Sequence, residues 1–213
     1  MSNNLNPDKA LVFRIVHRDN LPWLLRHGLH CRNAAQQDPN YRTIGHPDLI
    51  EKRQHRVIPV EPGGTLADYL PFYFTPYSPM LLNIKSGWGG LQRCPNADIA
   101  ILVSSLPRLE SLGLRYAISD RHAFLALASF SNDCAGLAAL PWKDWQQRHF
   151  KRDPEDPDRF DRYQAEALVH GSMPVEALLG VVVYTELIKT ETEQLVTDHG
   201  AKLAVHALPS WYF

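Results

Sequence analysis

Apolar positions along the chain come in short runs, broken by polar stretches and by glycine- and proline-rich punctuation. Leu11–His17 (LVFRIVH) is nearly continuous in apolar and β-branched residues, which predicts a buried strand. Asp19 or Asn20 then caps a short helix to about residue 27, and Gly28 stops it. Residues 47–56 predict a second helix, basic at its end, and Pro62-Gly63-Gly64 a turn. Residues 71–75 (PFYFT) predict an aromatic strand. Ser78 followed by Pro79 opens a helix to about residue 85, which SGWGG ends. Further strands are expected at 98–104, 115–119, 166–170 and 180–185, then a helix at 186–199 and a last strand at 202–207. There is no regular βαβ alternation, so the pattern favours an α+β fold.

One stretch breaks this rhythm. Residues 120–162 mix apolar, aromatic and basic positions without a strand period, and they pass through KRDPEDPD, which reads as exposed and turn-rich. A segment that long predicts function more than simple connection. No repeat and no low-complexity tract is present.

Composition narrows the picture. A chain of 213 residues is expected to form one domain and to bury roughly 70% of its unfolded surface, so it needs no staple. Apolar residues at 45% and charged residues at 21% exclude general disorder, collagen and coiled coil. No apolar run approaches the roughly 18 residues of a membrane helix, and the first residues lack the pattern of a secretion signal. Three scattered cysteines without a C-x-x-C predict reduced thiols and a cytoplasmic location. The net charge of −1 hides an asymmetry. Residues 1–152 carry 18 Lys and Arg against 12 Asp and Glu, and residues 153–213 carry 4 against 11. A basic front is compatible with a polyanionic partner and equally with an unevenly charged, solvated surface.

Candidate chemistry lies at strand ends. His17 closes the first strand, and a glycine at position 28 permits close backbone approach to a ligand. Alternation on FYFT sets Tyr73 opposite Phe72 and Phe74, either as packing or as a surface for a planar ring, with Thr75 or Ser78 supplying hydroxyls. Glu166 begins an apolar run. A carboxylate there is costly unless paired or used, so it marks either a structural ion pair or a catalytic group. His27, His30 and Cys31 (H-x-x-H-C) are a weak zinc pattern without a second cluster. The acidic run at 153–161 offers carboxylates to a metal-dependent nuclease, although Asp-Pro repeats are usually solvated.

In their order, strand His, aromatic-strand Tyr and strand Glu resemble the His–Tyr–Glu signature of NAD-consuming ADP-ribosyltransferases. More narrowly, the chain resembles the DarT-type DNA ADP-ribosyltransferase toxins of bacterial toxin–antitoxin pairs. The resemblance rests on KALVFRIVHRDNLPWLL-x-x-GLHC, GGTLADYLPFYFTPYSPMLLNI, RDPEDP followed by RYQAEALV, and the terminal WYF, and it is weakest over residues 106–147. It implies an ADP-ribosyltransferase-type fold across residues 1–213, with a split, mainly antiparallel sheet flanked by helices and a substrate-reading loop at about 120–165. It implies NAD as co-substrate, with no metal. It implies that His17 binds the adenosine ribose, that Asn20, Gly28 and Leu29 line the cofactor, and that Tyr73 stacks on nicotinamide near Thr75 and Met80. Glu166 matches the catalytic glutamate. Arg53 matches the catalytic arginine, with Lys52 and Arg56 as neighbouring cations that leave the register open. The implied target is a thymidine base in single-stranded DNA, and the implied partner is a DarG-type macrodomain antitoxin.

The residue types agree with that chemistry. Cleaving the nicotinamide–ribose bond builds positive charge that a carboxylate stabilises. A guanidinium is a poor base, so Arg53 is expected to stabilise negative charge on the base while Glu166 accepts its proton. For DNA, Arg148, Lys151 and Arg152 are assigned to phosphates, and Arg121 and His122 to the base; Trp142 and Trp145 are expected to face the core. The alternatives are transfer to RNA or protein, or an NAD- or ADP-ribose-binding module without turnover.

Overall fold

The computed structural model describes residues 4–213. Chain order is β1 (Leu11–His17), α1 (Leu21–His27), β2 (Leu29–His30), α2 (Pro47–Lys52), β3 (Tyr69–Tyr73), α3 (Pro79–Ser86), β4 (Ile99–Ser105) and α4 (Leu106–Ser111). Then come β5 (Tyr116–Ser119), β6 (Phe130–Ser131), α5 (Trp142–Gln147), α6 (Arg159–Tyr163), β7 (Glu166–His170), β8 (Ser172–Met173), β9 (Gly180–Val183), α7 (Glu186–Asp198) and β10 (Ala204–Ala207). Among the described residues, eight strands form one sheet in the order β10-β9-β4-β1-β3-β7-β5-β6, and β2 pairs with β8 in a second, two-stranded sheet. Every pairing is antiparallel except β10 with β9. This is the α+β architecture expected from the pattern, with a mainly antiparallel sheet.

The sheet is nearly cut in two. β1 runs beside β4 through seven residue pairs, Leu11↔Ser105 to His17↔Ile99, but it meets β3 at one pair, Phe13↔Tyr73. Beyond that pair the strands part. Pro71, with no N–H to give a ladder, lies in the part of β3 that β1 leaves unpaired, and its carbonyl accepts from Arg14 Nη1 at 2.9 Å. A side chain thus spans the gap where backbone pairing stops.

The core follows the continuous apolar runs. Ile99, Ala100, Ile101 and Leu102 of β4 are fully buried beside Phe13, Phe72 and Phe74. Trp145 stacks on Phe74 at 5.4 Å, as expected of a tryptophan on the inner face of a short helix, while Trp142 is half-buried edge-on to it. The C-terminal WYF is part of this core. Trp211 meets Phe13 edge to face, and the Tyr212 hydroxyl lies 3.0 Å from the carbonyls of both Ile99 and Val182. Ser78 caps α3 by accepting from the Leu81 N–H, as its position before proline predicts.

Several boundaries differ from expectation. The aromatic strand is shifted two residues earlier, because Phe74 and Thr75 already turn toward α3. The helix expected to Arg56 ends at Lys52 and tightens into a single 3-10 turn, Arg53–His55. The cap expected of Asp19 or Asn20 falls to Asn20 by position but is not made by its side chain, which serves another segment instead. The run KRDPEDPD is tied down. Asp153 and Asp156 pair with Arg159 and Arg162 of α6 at 2.7 Å, so those carboxylates hold a turn and do not form a free cluster.

Candidate active site

A cavity of about 370 Å³ opens where β1 and β3 part. Arg14, Ile15 and Val16 of β1 line it, with Tyr73 and Glu166 from the neighbouring strands and residues 28–32, 37, 38, 41 and 43–46 from the segment after α1. Met80, Arg53 and His122 complete the end that holds the titratable groups.

Glu166 is the centre of that end. It is the first residue of β7 and lies opposite Tyr73 of β3, which places a carboxylate and a phenol on adjoining strands. Its side chain is only 2% exposed. Arg53 Nη1 sits 3.0 Å from Oε2 and 3.3 Å from Oε1. The Ala123 N–H donates to Oε1 at 3.0 Å, and His122 Nδ1 lies 3.3 Å from the same oxygen. Oε1 is therefore crowded, while Oε2 has Arg53 alone among the described residues. The Glu166 N–H donates to Ser119 Oγ, whose own proton goes to the Arg121 carbonyl, so β5 fixes the strand start. Arg53 Nη2 is buried with no partner among the described residues. Such a donor, lining the cavity beside a paired carboxylate, can be given to an acceptor that enters the cavity.

The neighbouring cations have separate tasks. Arg56 Nη2 donates to the Leu125 carbonyl at 3.0 Å and so pins the 122–128 loop. Lys52 is exposed. Among the three, Arg53 alone reaches the carboxylate.

Tyr73 donates its hydroxyl to Met80 Sδ at 3.4 Å, and burial, with Glu166 adding to it, pushes its phenol well above the ordinary range. The ring is a neutral, flat wall. Burial, more than the opposing Glu166, holds His122 below the usual imidazole range, and Arg53 lowers it further.

The other predicted residues divide. Asn20 lines the cavity, but its amide is occupied at both ends: Oδ1 accepts from the Arg42 N–H at 2.8 Å and Nδ2 donates to the Arg42 carbonyl at 3.0 Å. It staples the rim loop to the end of β1. Gly28 and Leu29 line the cavity too. The glycine is required by protein backbone: φ is 78°, and a Cβ there would stand 2.6 Å from the Met173 carbonyl. His17 is buried at the end of β1 but is not among the lining residues. Its Nδ1 accepts from the Asp19 N–H, and burial followed by the Arg42 charge lowers its pKa. Its ligand atoms fall within 4.8 Å of those of Cys94 and Asp98. Thr75 is also buried outside the cavity, where its hydroxyl accepts from the Tyr77 N–H.

Of the five DNA candidates only His122 lines the cavity. Arg121 is paired with Asp120 and Asp158. Arg148 lies over Tyr77 at 3.9 Å and donates to the Ser210 carbonyl. Arg152 lies over Phe160 at 4.9 Å, and Lys151 is exposed. The H-x-x-H-C residues are also engaged: His27 and His30 pack on Trp23, His30 Nε2 bonds the His27 carbonyl, and Cys31 is buried. The residue the sequence did not single out is Arg14. Alternation on β1 gave its only signal, a cation inside an otherwise apolar run.

Comparison with known proteins adds a family. The family model described as "ssDNA thymidine ADP-ribosyltransferase, DarT" matches residues 13–213. A DNA ADP-ribosyl transferase of Escherichia coli O127:H6 is 46% identical over 212 residues, covering 100% of this chain and 97% of that protein. Among solved structures, Thermus sp. 2.9 DarT in complex with ADP-ribosylated ssDNA superimposes with a TM-score of 0.89 at 32% identity over 98% of both chains. The same protein in complex with NAD+ gives 0.86 at 31% identity over 98% of this chain and 100% of that one.

Proposed function

The chain belongs to the DarT family of ssDNA thymidine ADP-ribosyltransferases, and from that premise we propose which of its residues carry the reaction. It is an NAD-dependent DNA ADP-ribosyltransferase, moving ADP-ribose from NAD to a thymidine base in single-stranded DNA and releasing nicotinamide. The observation that carries the site assignment is the Arg53–Glu166 pair, 3.0 Å apart and buried beside Tyr73 in the cavity. A buried ion pair is rarely a gain over apolar packing, so its presence in a cavity favours use over architecture. The same point weighs against a module that only binds ADP-ribose.

As the nicotinamide–ribose bond lengthens, positive charge grows on the ribose. The Glu166 carboxylate lies where it opposes that charge, and Oε2, which accepts from Arg53 alone among the described residues, keeps a lone pair to orient a ribose hydroxyl. Tyr73 offers the leaving ring a neutral surface. Arg53, through the unpartnered Nη2, offers a donor to a carbonyl of the attacking base, whose negative charge grows as its proton leaves. Arg14, Gly28 and Leu29 line the part of the cavity that takes the rest of NAD, and Asn20 holds its wall through the two bonds to Arg42. His17 supports the turn into α1 by accepting from the Asp19 N–H.

The protein acts as a toxin, held in check by a macrodomain antitoxin that removes ADP-ribose. Incubating it with NAD and mixed-sequence DNA oligonucleotides, RNA of the same sequence and a protein extract is expected to add the mass of one ADP-ribose to thymidine-containing DNA alone. Labelling of RNA or protein in preference to DNA refutes the target.

A further inference from the structure

The electrostatic roles of Arg53 and Glu166 leave the proton of the base without a destination. The base of thymidine has a single ring N–H, and forming a bond from that nitrogen requires the proton to go elsewhere. A guanidinium is no acceptor. Glu166 is a weak candidate, because Oε1 already faces the Ala123 N–H and Arg53, and Oε2 faces Arg53 and the growing charge on the ribose.

His122 stands beside it. Its Nδ1 lies 3.3 Å from Glu166 Oε1 and 3.3 Å from the Phe124 N–H. Each contact requires a different tautomer. A lone pair turned to a carboxylate is repelled, whereas an N–H turned to it makes a charge-assisted bond about twice as strong as a neutral one, so the carboxylate places the proton on Nδ1. Nε2 is then an open lone pair. No hydrogen bond among the described residues engages it, and the ring lines the cavity. The backbone holds the ring in place: the His122 N–H donates to the Asp161 carbonyl, and Arg56 fixes the loop from the other side.

We propose that His122, oriented by Glu166, is the general base that takes the proton from the thymine ring nitrogen. This rests on the transfer to thymidine described above. In the step, the N–H bond breaks and its proton moves to Nε2. The nitrogen's electron pair forms the bond to the ribose carbon, and the bond from that carbon to nicotinamide breaks, its pair neutralising the pyridinium. Glu166 and Arg53 keep their charges, and the imidazolium then loses its proton to water. A base must be unprotonated at neutral pH, and the groups around His122 arrange that. Burial and Arg53 lower its pKa, against Glu166 on β7 and Asp161 on α6, which raise it.

Three variants test the assignment against oligonucleotide, NAD and pH. His122→Ala is expected to lower kcat about 100- to 10,000-fold, the usual contribution of a general base. It should bind NAD as the unaltered protein does and regain transfer with added imidazole. His122→Asn offers Glu166 an N–H but no base, so it should be as slow as the alanine variant. The unaltered protein should lose kcat/KM as pH falls through a value below the ordinary imidazole pKa of about 6.5, and the residual rate of His122→Ala should lack that limb. Recovery in His122→Asn would make the residue a mere support for Glu166. A raised KM for oligonucleotide with kcat kept would make it a reader of the base. Absence of imidazole rescue together with an unchanged acid limb would overturn the proposal as well. Transfer by the unaltered protein, run alongside, separates failure of this role from failure of the reaction.

Discussion

The two strands that meet at the catalytic end and the loops that close over it are built on different rules. Tyr73 and Glu166 face each other across a ladder whose register is set by five residue pairs, Tyr69↔His170 to Tyr73↔Glu166. A slip of one residue would turn every side chain of β7 to the other face. Arg53, His122 and the basic residues that follow sit on turns and short helices held by side chain–carbonyl bonds and ion pairs, such as Arg56 to Leu125 and Arg159 to Asp153. The strands place one group with little freedom. The loops gather several cations and then tie most of them down, so proximity of charge in sequence says little about which charge is available.

The sharpest way to break the comparison is at the strand. Glu166→Gln keeps the shape of the side chain and removes the charge that opposes the ribose cation. We expect transfer to fall about 1000-fold, the upper range for loss of one electrostatic stabiliser, with NAD binding retained in calorimetry. Near-normal transfer by a folded variant would remove Glu166 from the chemistry. Arg53 tests the loop side. Arg53→Lys keeps a charge but cannot span both carboxylate oxygens and also present Nη2. A loss of about 100-fold in transfer to DNA, larger than any loss in NAD affinity, is the expected result. An equal loss of both would assign Arg53 to the cofactor.

How far the sequence alone reached follows the same division. β1, β4, β5 and β7 were legible because a strand buried on both faces writes itself as a continuous apolar run. Glu166 was legible because a carboxylate interrupts such a run. Arg14 interrupts β1 in the same way and was missed, since an arginine in a strand reads as a solvated edge until the gap between β1 and β3 is seen. His17 drew attention as the polar end of the run; its Nδ1 accepts from the Asp19 N–H, and it is not among the residues lining the cavity. Arg53 was placed only through the family resemblance: no period distinguishes it from Lys52 or Arg56, and the choice depends on a helix that ends early at Lys52. The loop assignments were least legible because ion pairs join residues far apart in the chain. Arg121 meets Asp158 and Arg148 meets Ser210, and no local pattern encodes either.

Arg14 offers a finer test of the strand half. Arg53 is committed to Glu166, whereas Arg14 lines the cavity with a hydrogen bond to Pro71 and no carboxylate partner among the described residues. A diphosphate needs such a cation. Arg14→Met is expected to weaken NAD binding about tenfold, the scale of a lost hydrogen bond to a charged group, and to leave kcat at saturating NAD nearly unchanged. Arg14→Lys should recover part of the affinity. A lower melting temperature with unchanged NAD affinity would make Arg14 only a brace across the parted strands.

The smallest expected effect lies farthest from the strands. Lys151 and Arg152 follow α5, near the turn that Asp153, Asp156, Arg159 and Arg162 hold. Arg148 is spent on Tyr77 and the Ser210 carbonyl, which leaves these two to face solvent. Arg152 keeps its guanidinium over Phe160, an arrangement in which a base could stack on the opposite side of the cation. Neutralising both residues by Lys151→Gln and Arg152→Gln should weaken oligonucleotide binding only a few-fold at moderate salt, and equally for all sequences. Each lost phosphate contact flattens the salt dependence by about 0.7 in the slope for a single strand, so the double variant should lose about one unit or slightly more. Because neither residue lines the cavity, the preferred thymidine context should be unaltered. An unchanged salt slope would move the DNA path off this face. The exposed Lys52 at the end of α2 would then be the next position to neutralise, since Arg56 in the same segment is already bound to the Leu125 carbonyl.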